Sequence, residues 1–198
     1  MKKIALLIMT VLLAATCFAA GKSERVCHKG DGSFIVISKK DLNLRVYRAT
    51  GGDTTLLATF PVCLSKNKGD KQRKGDMRTP ESPKGKPFYI SMMQDASGWR
   101  HDFHDGRGSI LAYGHWFLRL VTPGHSGIGI HGSTGNRSSV PGRASEGCIR
   151  LLDEDIITLH DKYAYVGMNV IIKHEGEGLY NWEKKPIAEY KKNHPNQK

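Results

Sequence analysis

The sequence predicts a mainly β protein of the sandwich or barrel type with one short helix late in the chain. From residue 33 onward, apolar and polar residues alternate in short runs that glycine-rich turns separate. Only the stretch at residues 153–163 has the apolar spacing of a helix. The sequence has neither the helix–strand alternation of a dinucleotide-binding fold nor a GxGxxG or P-loop motif. These observations exclude the common nucleotide-binding classes.

The first strands are expected within FIVISKKDLNLRVYRATGGDTTLLATFPVCL, residues 34–64. Leu44 and Val46 alternate with polar neighbours, and the Gly51-Gly52 pair marks a turn before the next apolar run. Such a pattern favours a β-meander. Further strands are predicted at residues 88–90, 115–121, 127–131 and 169–173.

The predicted helix follows SEGCIRL, residues 145–151. Asp153 is the expected N-cap, and Glu154 and Asp155 would lie in the first turn, where negative charge suits the helix dipole. Gly167 is expected to end the helical region.

The N-terminus has the layout of a secretory signal peptide, assigned to residues 1–20. Two lysines precede an apolar run at residues 4–15, and small residues around Ala20 offer a cleavage site. The run is shorter than the roughly 20 residues of a membrane span, so no span is expected after cleavage. A lipid on Cys17 is the weaker alternative. We expect secretion to the periplasm or cell wall.

The remaining chain divides into one domain at residues 30–174 and a polar tail or surface arm at residues 175–198. The formal net charge is +11, and many of the basic residues lie at residues 65–78. A solvated loop is the simplest interpretation of that segment, with an anionic wall or lipid surface as the alternative. Nucleic acid is not an expected partner of a secreted protein.

Signal cleavage would leave Cys27, Cys63 and Cys148 in a compartment where disulfides persist. Three is an odd number, so at least one thiol stays free. Cys27 and Cys63 could form a bridge, although the sequence does not show their distance. Cys148 is then the natural free thiol, and a catalytic role is preferred over an inert buried one.

A nucleophilic cysteine needs a base and hydrogen-bond donors for an oxyanion. His131 is the candidate base, because it ends a short strand and is followed by Gly132. Gly147 would let backbone and substrate approach Cys148 closely. Tyr113, with His115 and Trp116, could line a substrate pocket, although an ordinary strand core is the preferred interpretation of these aromatic residues.

A zinc site is the alternative use of the same residues. His131 and Cys148 could join His115 or His125 around the metal. No Cys-x-x-Cys or His-x-x-x-His spacing supports such a site, so neither a metal nor another cofactor is expected.

Four sequence elements together resemble the L,D-transpeptidase catalytic domain (YkuD) family. They are IHGS at 130–133, SEGCIRL at 145–151, DEDIITLHDKYAYVGMNVIIK at 153–173, and TPESPKGKPFYI at 79–90. The resemblance runs from about residue 33 to 173. It implies an L,D-transpeptidase-like β fold and an envelope enzyme that acts on peptidoglycan stem peptides.

The resemblance also implies roles for particular residues. Cys148 would be the nucleophile and His131 the general base, with a backbone carbonyl orienting the imidazole. Gly147 and Gly132 would belong to the oxyanion loop, where the Gly147 and Cys148 amides hold the negative charge. Arg150 would steady this loop or bind a substrate carboxylate.

Three further residues are predicted to contact substrate: Tyr113, Ser145 and Glu146. For Ser145, a turn or hydrogen-bonding role in the loop is preferred over that of a second catalytic group. Glu146 departs from the family pattern, which often has histidine at this position. A carboxylate there would raise the pKa of a neighbouring thiol, or it would recognise a cationic amine on the donor or acceptor.

The predicted activity is therefore a peptidoglycan L,D-transpeptidase. Cys148 would form an acyl-enzyme with a tetrapeptide stem, release D-Ala and pass the acyl group to an amine. One alternative is an L,D-carboxypeptidase that hydrolyses the same bond. Another is a wall-binding module whose cysteine does not react. The oligomeric state is open, with a monomer as the simplest expectation.

Overall fold

A computed structural model describes residues 24–195 of the chain. The predicted signal peptide, residues 1–20, lies outside the described residues. Ten of the described strands form one mixed sheet, and two more form a separate hairpin. The prediction of a mainly β fold is therefore confirmed. No helix within residues 24–195 is long and apolar enough to cross a membrane.

The strands are β1 (Ser33–Ser38), β2 (Asn43–Thr50), β3 (Asp53–Pro61), β4 (Cys63–Ser65), β5 (Phe88–Asp95), β6 (Arg100–Asp102), β7 (Ser109–Leu111), β8 (Trp116–Val121), β9 (Gly129–His131), β10 (Gly142–Ser145), β11 (Ile149–Arg150) and β12 (Asn169–Ile172). The α-helices are α1 (Asp153–Thr158) and α2 (Asn181–Asn193). A single 3-10 turn covers Arg137–Ser139, and a π-helical turn, Leu159–Tyr163, continues α1.

The large sheet has the order β10-β4-β11-β9-β8-β5-β12-β1-β2-β3. The predicted meander forms one end, where β1, β2 and β3 pair in antiparallel fashion. β12 comes from the end of the domain and pairs in parallel with β1. The alternation of buried and exposed residues in β3 reflects a strand with one face on the core.

The other end of the sheet consists of short strands from distant parts of the chain. β11 has only two residues, and it lies between β9, with which it is parallel, and β4, with which it is antiparallel. Ile130, Ile149 and Leu151 are fully buried there and join the main hydrophobic core. Burial of these side chains stabilises strands that are too short to persist alone.

The hairpin of β6 and β7 was not predicted. Its strands pair from Arg100 opposite Leu111 to Asp102 opposite Ser109. The Asp105-Gly106 pair lies in the connecting loop, and Asp-Gly is a common hairpin signal. The residues on either side of this turn are mostly polar, so they lack the apolar alternation that predicts a strand.

The helix after the cysteine is present, but its predicted N-cap is wrong. Leu152 occupies the N-cap position, and Asp153 is the first helical residue. The Asp153 carboxylate instead accepts hydrogen bonds from the Ser133 amide at 2.7 Å and the Thr134 hydroxyl at 2.5 Å. A tertiary role for this side chain therefore replaces the local capping role.

Helix α2 lies within the segment 175–198, where only a tail or surface arm was expected. Glu183 attaches it to the sheet, because this carboxylate is fully buried and pairs with the buried ammonium of Lys173. The Tyr47 hydroxyl donates to the same carboxylate at 3.0 Å. The helix escaped prediction because charged side chains, including buried Glu183, obscure its apolar periodicity.

Cys27 and Cys63 are both free and fully buried. The possible disulfide between them, which the sequence left open, is therefore absent from the structure. Cys148 is the one described thiol that is not fully sealed from solvent.

Candidate active site

Cys148 lies in the short connection between β10 and β11, at the surface of a cavity of about 400 Å³. Its sulfur contacts the carbonyl oxygen of Gly127 at 3.4 Å. His131 lines the same cavity from the end of β9. The parallel pairing of β9 with β11 places Ile149, the residue after the cysteine, opposite Ile130. Cys148 thus directly precedes β11 while His131 ends β9, and the two predicted catalytic residues line one cavity.

The imidazole of His131 is held in one orientation. Its Nδ1 is 2.7 Å from the carbonyl oxygen of Gly132, and its ring packs against Tyr113 and Phe117. A carbonyl can only accept, so Nδ1 carries the proton and Nε2 keeps a free lone pair. The carbonyl predicted to orient the ring is that of Gly132.

Burial and charge keep His131 neutral. Only 3% of the residue is exposed. Burial, and then the positive charge of Arg150, lowers the pKa of His131 from 6.5 to about 3, although the Gly132 hydrogen bond opposes the change. A neutral imidazole at physiological pH can accept a proton, as a general base must.

The thiol of Cys148 is also neutral at rest. Burial raises its pKa above the ordinary 9.0, while a hydrogen bond from the Gly129 amide and the charges of Arg150 and Lys71 act in the opposite direction. The desolvation of the sulfur outweighs these stabilising contacts. The site therefore pairs a neutral thiol with a neutral imidazole rather than a thiolate with an imidazolium.

The loop before Cys148 is held by Ser145, which is almost completely buried. Its hydroxyl donates to the Cys148 carbonyl at 2.6 Å and accepts from the Gly147 amide at 3.3 Å. Both bonds lie within the loop, which matches the turn interpretation of Ser145. Gly147 has a φ of +145°, a conformation that side-chain-bearing residues rarely adopt.

Neither glycine of the predicted oxyanion loop has a free amide in the resting structure. Gly147 donates to Ser145, and Gly132 donates to the carbonyl of Tyr113 at 2.7 Å. The Cys148 amide is then the candidate donor from this loop. Gly132 has a packing role, because an added Cβ would lie 2.3 Å from the Asp153 carboxylate.

Arg150 is 3% exposed and lies opposite His131 in the sheet. Its guanidinium stacks on the ring of Phe103 at 4.9 Å, and its Nε has no hydrogen-bond partner among residues 24–195. A buried donor without a partner is costly, so a ligand oxygen would be bound favourably here. Arg150 also lines the cavity, as its predicted contact with a substrate carboxylate requires.

Glu146 and Tyr113 also line the cavity. The Oε2 atom of Glu146 lies 3.2 Å from the Nε2 atom of His101. Burial is the main cause of the raised pKa of Tyr113, followed by the charges of Cys148 and Glu146. Both residues therefore lie in the wall of the cavity that contains Cys148, and their contact with substrate stays a prediction.

Sequence reasoning missed several residues that complete the cavity. His101 and Phe103 come from the β6–β7 hairpin, and Lys71 and Lys74 come from the basic segment that was interpreted as a solvated loop. The Asp-Gly turn could have revealed the hairpin. Nothing in the local pattern could have shown that the basic segment borders the site.

The zinc alternative gains no support from the geometry. Of the two extra histidines considered, His125 lines the cavity and His115 does not. Within residues 24–195, no group of three or more His, Cys, Asp or Glu side chains is arranged to hold a metal ion.

The fold and cavity together define a mixed-sheet protein with a cysteine–histidine site at the end of short parallel strands. A family model for the L,D-transpeptidase catalytic domain (YkuD) matches residues 32–172, most of the described chain. The protein belongs to this family, which confirms the resemblance seen in the sequence. No curated protein matches the chain.

Solved structures show the same fold at low sequence identity. Bd1075 of Bdellovibrio bacteriovorus is 19% identical with a TM-score of 0.52, covering 83% of this chain and 56% of that one. The helical cell shape determining protein Pgp2 of Campylobacter jejuni is 19% identical with a TM-score of 0.51, covering 78% and 51%. The chain thus spans about half the length of each of these proteins. These similarities establish the fold alone.

Proposed function

We propose that the protein is a secreted peptidoglycan L,D-transpeptidase of the periplasm or cell wall. The observation that carries the proposal is the pairing, in one cavity, of a partly exposed Cys148 with a neutral His131 whose Nε2 is free. Membership of the family supports the reaction class. Stem peptides of peptidoglycan are the proposed substrates, and neither nucleic acid nor a cofactor takes part.

The first half-reaction forms a thioester. The Nε2 of His131 takes the thiol proton as the Cys148 sulfur attacks the carbonyl carbon of the third stem residue. The carbonyl oxygen gains the negative charge, and the Cys148 amide donates to it. The tetrahedral intermediate then collapses, and the departing amine of D-Ala takes the proton from the imidazolium.

The second half-reaction returns the free thiol. An acceptor amine attacks the thioester carbonyl, and His131 removes its proton. Collapse of the second intermediate breaks the carbon–sulfur bond, and the sulfur recovers the proton from His131. Water in place of the amine would give the carboxypeptidase outcome.

The charged residues of the cavity suit a substrate that carries both signs of charge. Arg150 offers an unpartnered buried donor to a carboxylate. Glu146 is the acidic side chain of the described lining, and it would receive an ammonium of the stem or acceptor. Desolvation in the cavity strengthens both contacts.

The test is incubation of the purified protein with disaccharide tetrapeptides, followed by mass analysis. Cross-linked dimers and released D-Ala indicate transfer, whereas tripeptides alone indicate hydrolysis. Cys148→Ala and His131→Asn should abolish both products. Cys63→Ala, which removes a buried thiol outside the cavity, should retain them.

A carbapenem provides an independent probe of the nucleophile. Intact-mass analysis should show one adduct, which peptide mapping places on Cys148. Absence of turnover and adduct in a folded wild-type protein would refute the enzyme proposal. Unchanged binding of Cys148→Ala to sacculi would then favour a wall-binding module.

A further inference from the structure

A second concave surface lies outside the catalytic cavity. One depression of about 420 Å³ is formed between residues 82–87 and the segment that leads into α2. A neighbouring depression of about 540 Å³ lies over β1 and β12. Both include Pro87 and Ile171, so the two depressions are adjacent, and we call them together the α2 groove. None of its lining residues lines the catalytic cavity.

Aromatic faces line the α2 groove. Trp182 is 38% exposed and stacks on Tyr180, with ring centroids 5.9 Å apart. Its other neighbours are Phe34 at 5.7 Å and Tyr47 at 5.0 Å, which fix the indole in place. A large indole that is held rigidly and left partly exposed is typical of a binding surface.

The charge of the groove is predominantly positive. Lys29, Lys84 and Lys86 line it, and none of the three ammonium groups has a hydrogen-bond or ion-pair partner within residues 24–195. Glu177 is the acidic residue of the described lining, and it already accepts bonds from the Tyr180 hydroxyl and the His174 amide. The groove therefore complements a ligand with negative charges along its length.

Two adjacent depressions with aromatic and cationic linings fit successive units of a polysaccharide better than a compact metabolite. The C–H face of a pyranose ring packs on an indole, while hydroxyl and amide groups stay in water. Carboxylates on such a polymer would meet the three lysines. We propose that the α2 groove binds a glycan strand of N-acetylated amino sugars that carry carboxylates.

The choice of a wall glycan rests on the proposed function, because a transpeptidase works among such strands. The sugar carboxylates are free wherever a stem peptide has been removed, since a stem is attached through an amide at that group. The connection between β4 and β5 supports the link. Its first part places Lys71 and Lys74 in the catalytic cavity, and its last part places Lys84 and Lys86 in the α2 groove. The same connection thus contributes to the walls of both the catalytic cavity and the α2 groove.

The test measures binding of peptide-free glycan strands, prepared by removing all stem peptides with an amidase, to the full protein by calorimetry. Such strands cannot be acyl donors, so binding is independent of catalysis. The double variant Lys84→Gln/Lys86→Gln should bind about tenfold more weakly at low salt, because two charge contacts with carboxylates are lost. Its affinity for neutral chito-oligosaccharides should not change.

Trp182→Ala should weaken the binding of both peptide-free strands and chito-oligosaccharides about tenfold. Trp182→Phe should keep most of the affinity, because it retains an aromatic ring. Lys191→Gln/Lys192→Gln, in exposed α2 positions outside the groove lining, is the matched charge control and should bind normally. Cys148→Ala should also bind normally, so loss of the proposed activity would not affect this measurement.

Two results would overturn the proposal. One is that wild-type protein does not bind peptide-free strands. The other is that the groove variants bind them as wild type does, with folding confirmed by unchanged melting of the lysine double variant. Equal lysine-dependent binding of a DNA oligonucleotide or anionic phospholipid vesicles would instead show a general anion surface and also reject a glycan site.

Discussion

Arg150 lies directly opposite His131 across the parallel pair of β11 and β9, and its charge adds to burial in lowering the pKa of the imidazole. The same guanidinium opposes the rise in the pKa of Cys148 that burial causes. Arg150 thus disfavours the imidazolium and favours the thiolate. The net result of burial and charge is a neutral pair that exchanges its proton only during attack.

The first prediction concerns acid stability. The unfolded chain binds a proton at His131 below pH 6.5, but the folded protein does so only near pH 3. The stability from this residue is fully present above pH 6.5 and is lost as the pH falls toward 3, by up to about 1.4 kcal/mol per pH unit. Urea unfolding at several pH values should show that the free energy of unfolding falls less steeply between pH 6.5 and 3 for His131→Asn than for wild type. Parallel curves would contradict the burial of a neutral imidazole.

The second prediction concerns the resting thiol. Because burial raises the pKa of Cys148 above 9.0, alkylation by iodoacetamide should be slow at neutral pH and accelerate into the alkaline range. Arg150→Gln should slow the reaction further, since a charge that stabilises the thiolate is lost. Glutathione serves as the reference thiol. A plateau in the rate that begins below pH 7 would reveal an ion pair and reject this description.

The third prediction concerns Gly147. An alanine there would adopt an unfavourable backbone conformation, and its Cβ would lie 3.0 Å from the Arg78 carbonyl. Gly147→Ala should lower the free energy of unfolding by about 1–3 kcal/mol and slow carbapenem acylation of Cys148. Gly98→Ala is the control, because Gly98 has open space and no positive φ. Equal acylation rates in all three proteins would show that this backbone geometry is not needed.

The fourth prediction concerns Asp153. Asp153→Ala removes the acceptor of the buried Ser133 amide and should cost about 1–3 kcal/mol of stability, with slower acylation of Cys148. Asp153→Asn keeps an oxygen at that position and should cost less. Glu154→Ala, which breaks an exposed ion pair in the same helical turn, should change stability by less than about 1 kcal/mol. A larger effect of Glu154→Ala would argue against the loop-holding role.

The fifth prediction concerns the attachment of α2. Glu183→Gln leaves the buried ammonium of Lys173 without its counter-charge and should cost about 3 kcal/mol. The change should also expose α2 to limited proteolysis at lower protease concentrations. Glu189→Gln alters an exposed α2 position and should stay within about 0.5 kcal/mol of wild type. Unaltered proteolysis of Glu183→Gln would show that other contacts attach the helix.

Comparison with the sequence shows which features are locally encoded. The alternation around Leu44 and Val46 predicted strand β2, because one face of that strand is buried. SEGCIRL and IHGS pointed to the two residues that share the cavity, since their neighbouring glycines and strand positions are local properties. The role of Asp153 was missed because its carboxylate has a partner 20 positions earlier in the chain.

The elements that were missed depend on distant contacts. Helix α2 is attached through the pairing of Glu183 with Lys173 and Tyr47, and a buried charged residue looks like an exposed one in sequence. The β6–β7 hairpin contributes Phe103 to the site through its stacking on Arg150. Such pairings arise only in the folded chain, so periodicity could not predict them.

The two-residue strand β11 has a consequence for how the chemistry could be divided or transplanted. β11, which directly follows Cys148, is held between β4 and β9. β4 lies more than 80 positions earlier in the chain, and neither strand is contiguous with β11 in sequence. A fragment that began after β4 would contain both IHGS and SEGCIRL, but it would lack one of the two strands that pair with β11. Grafting SEGCIRL into another scaffold would transfer the motif but not its reactivity, because the strands that position the cysteine come from other parts of the domain.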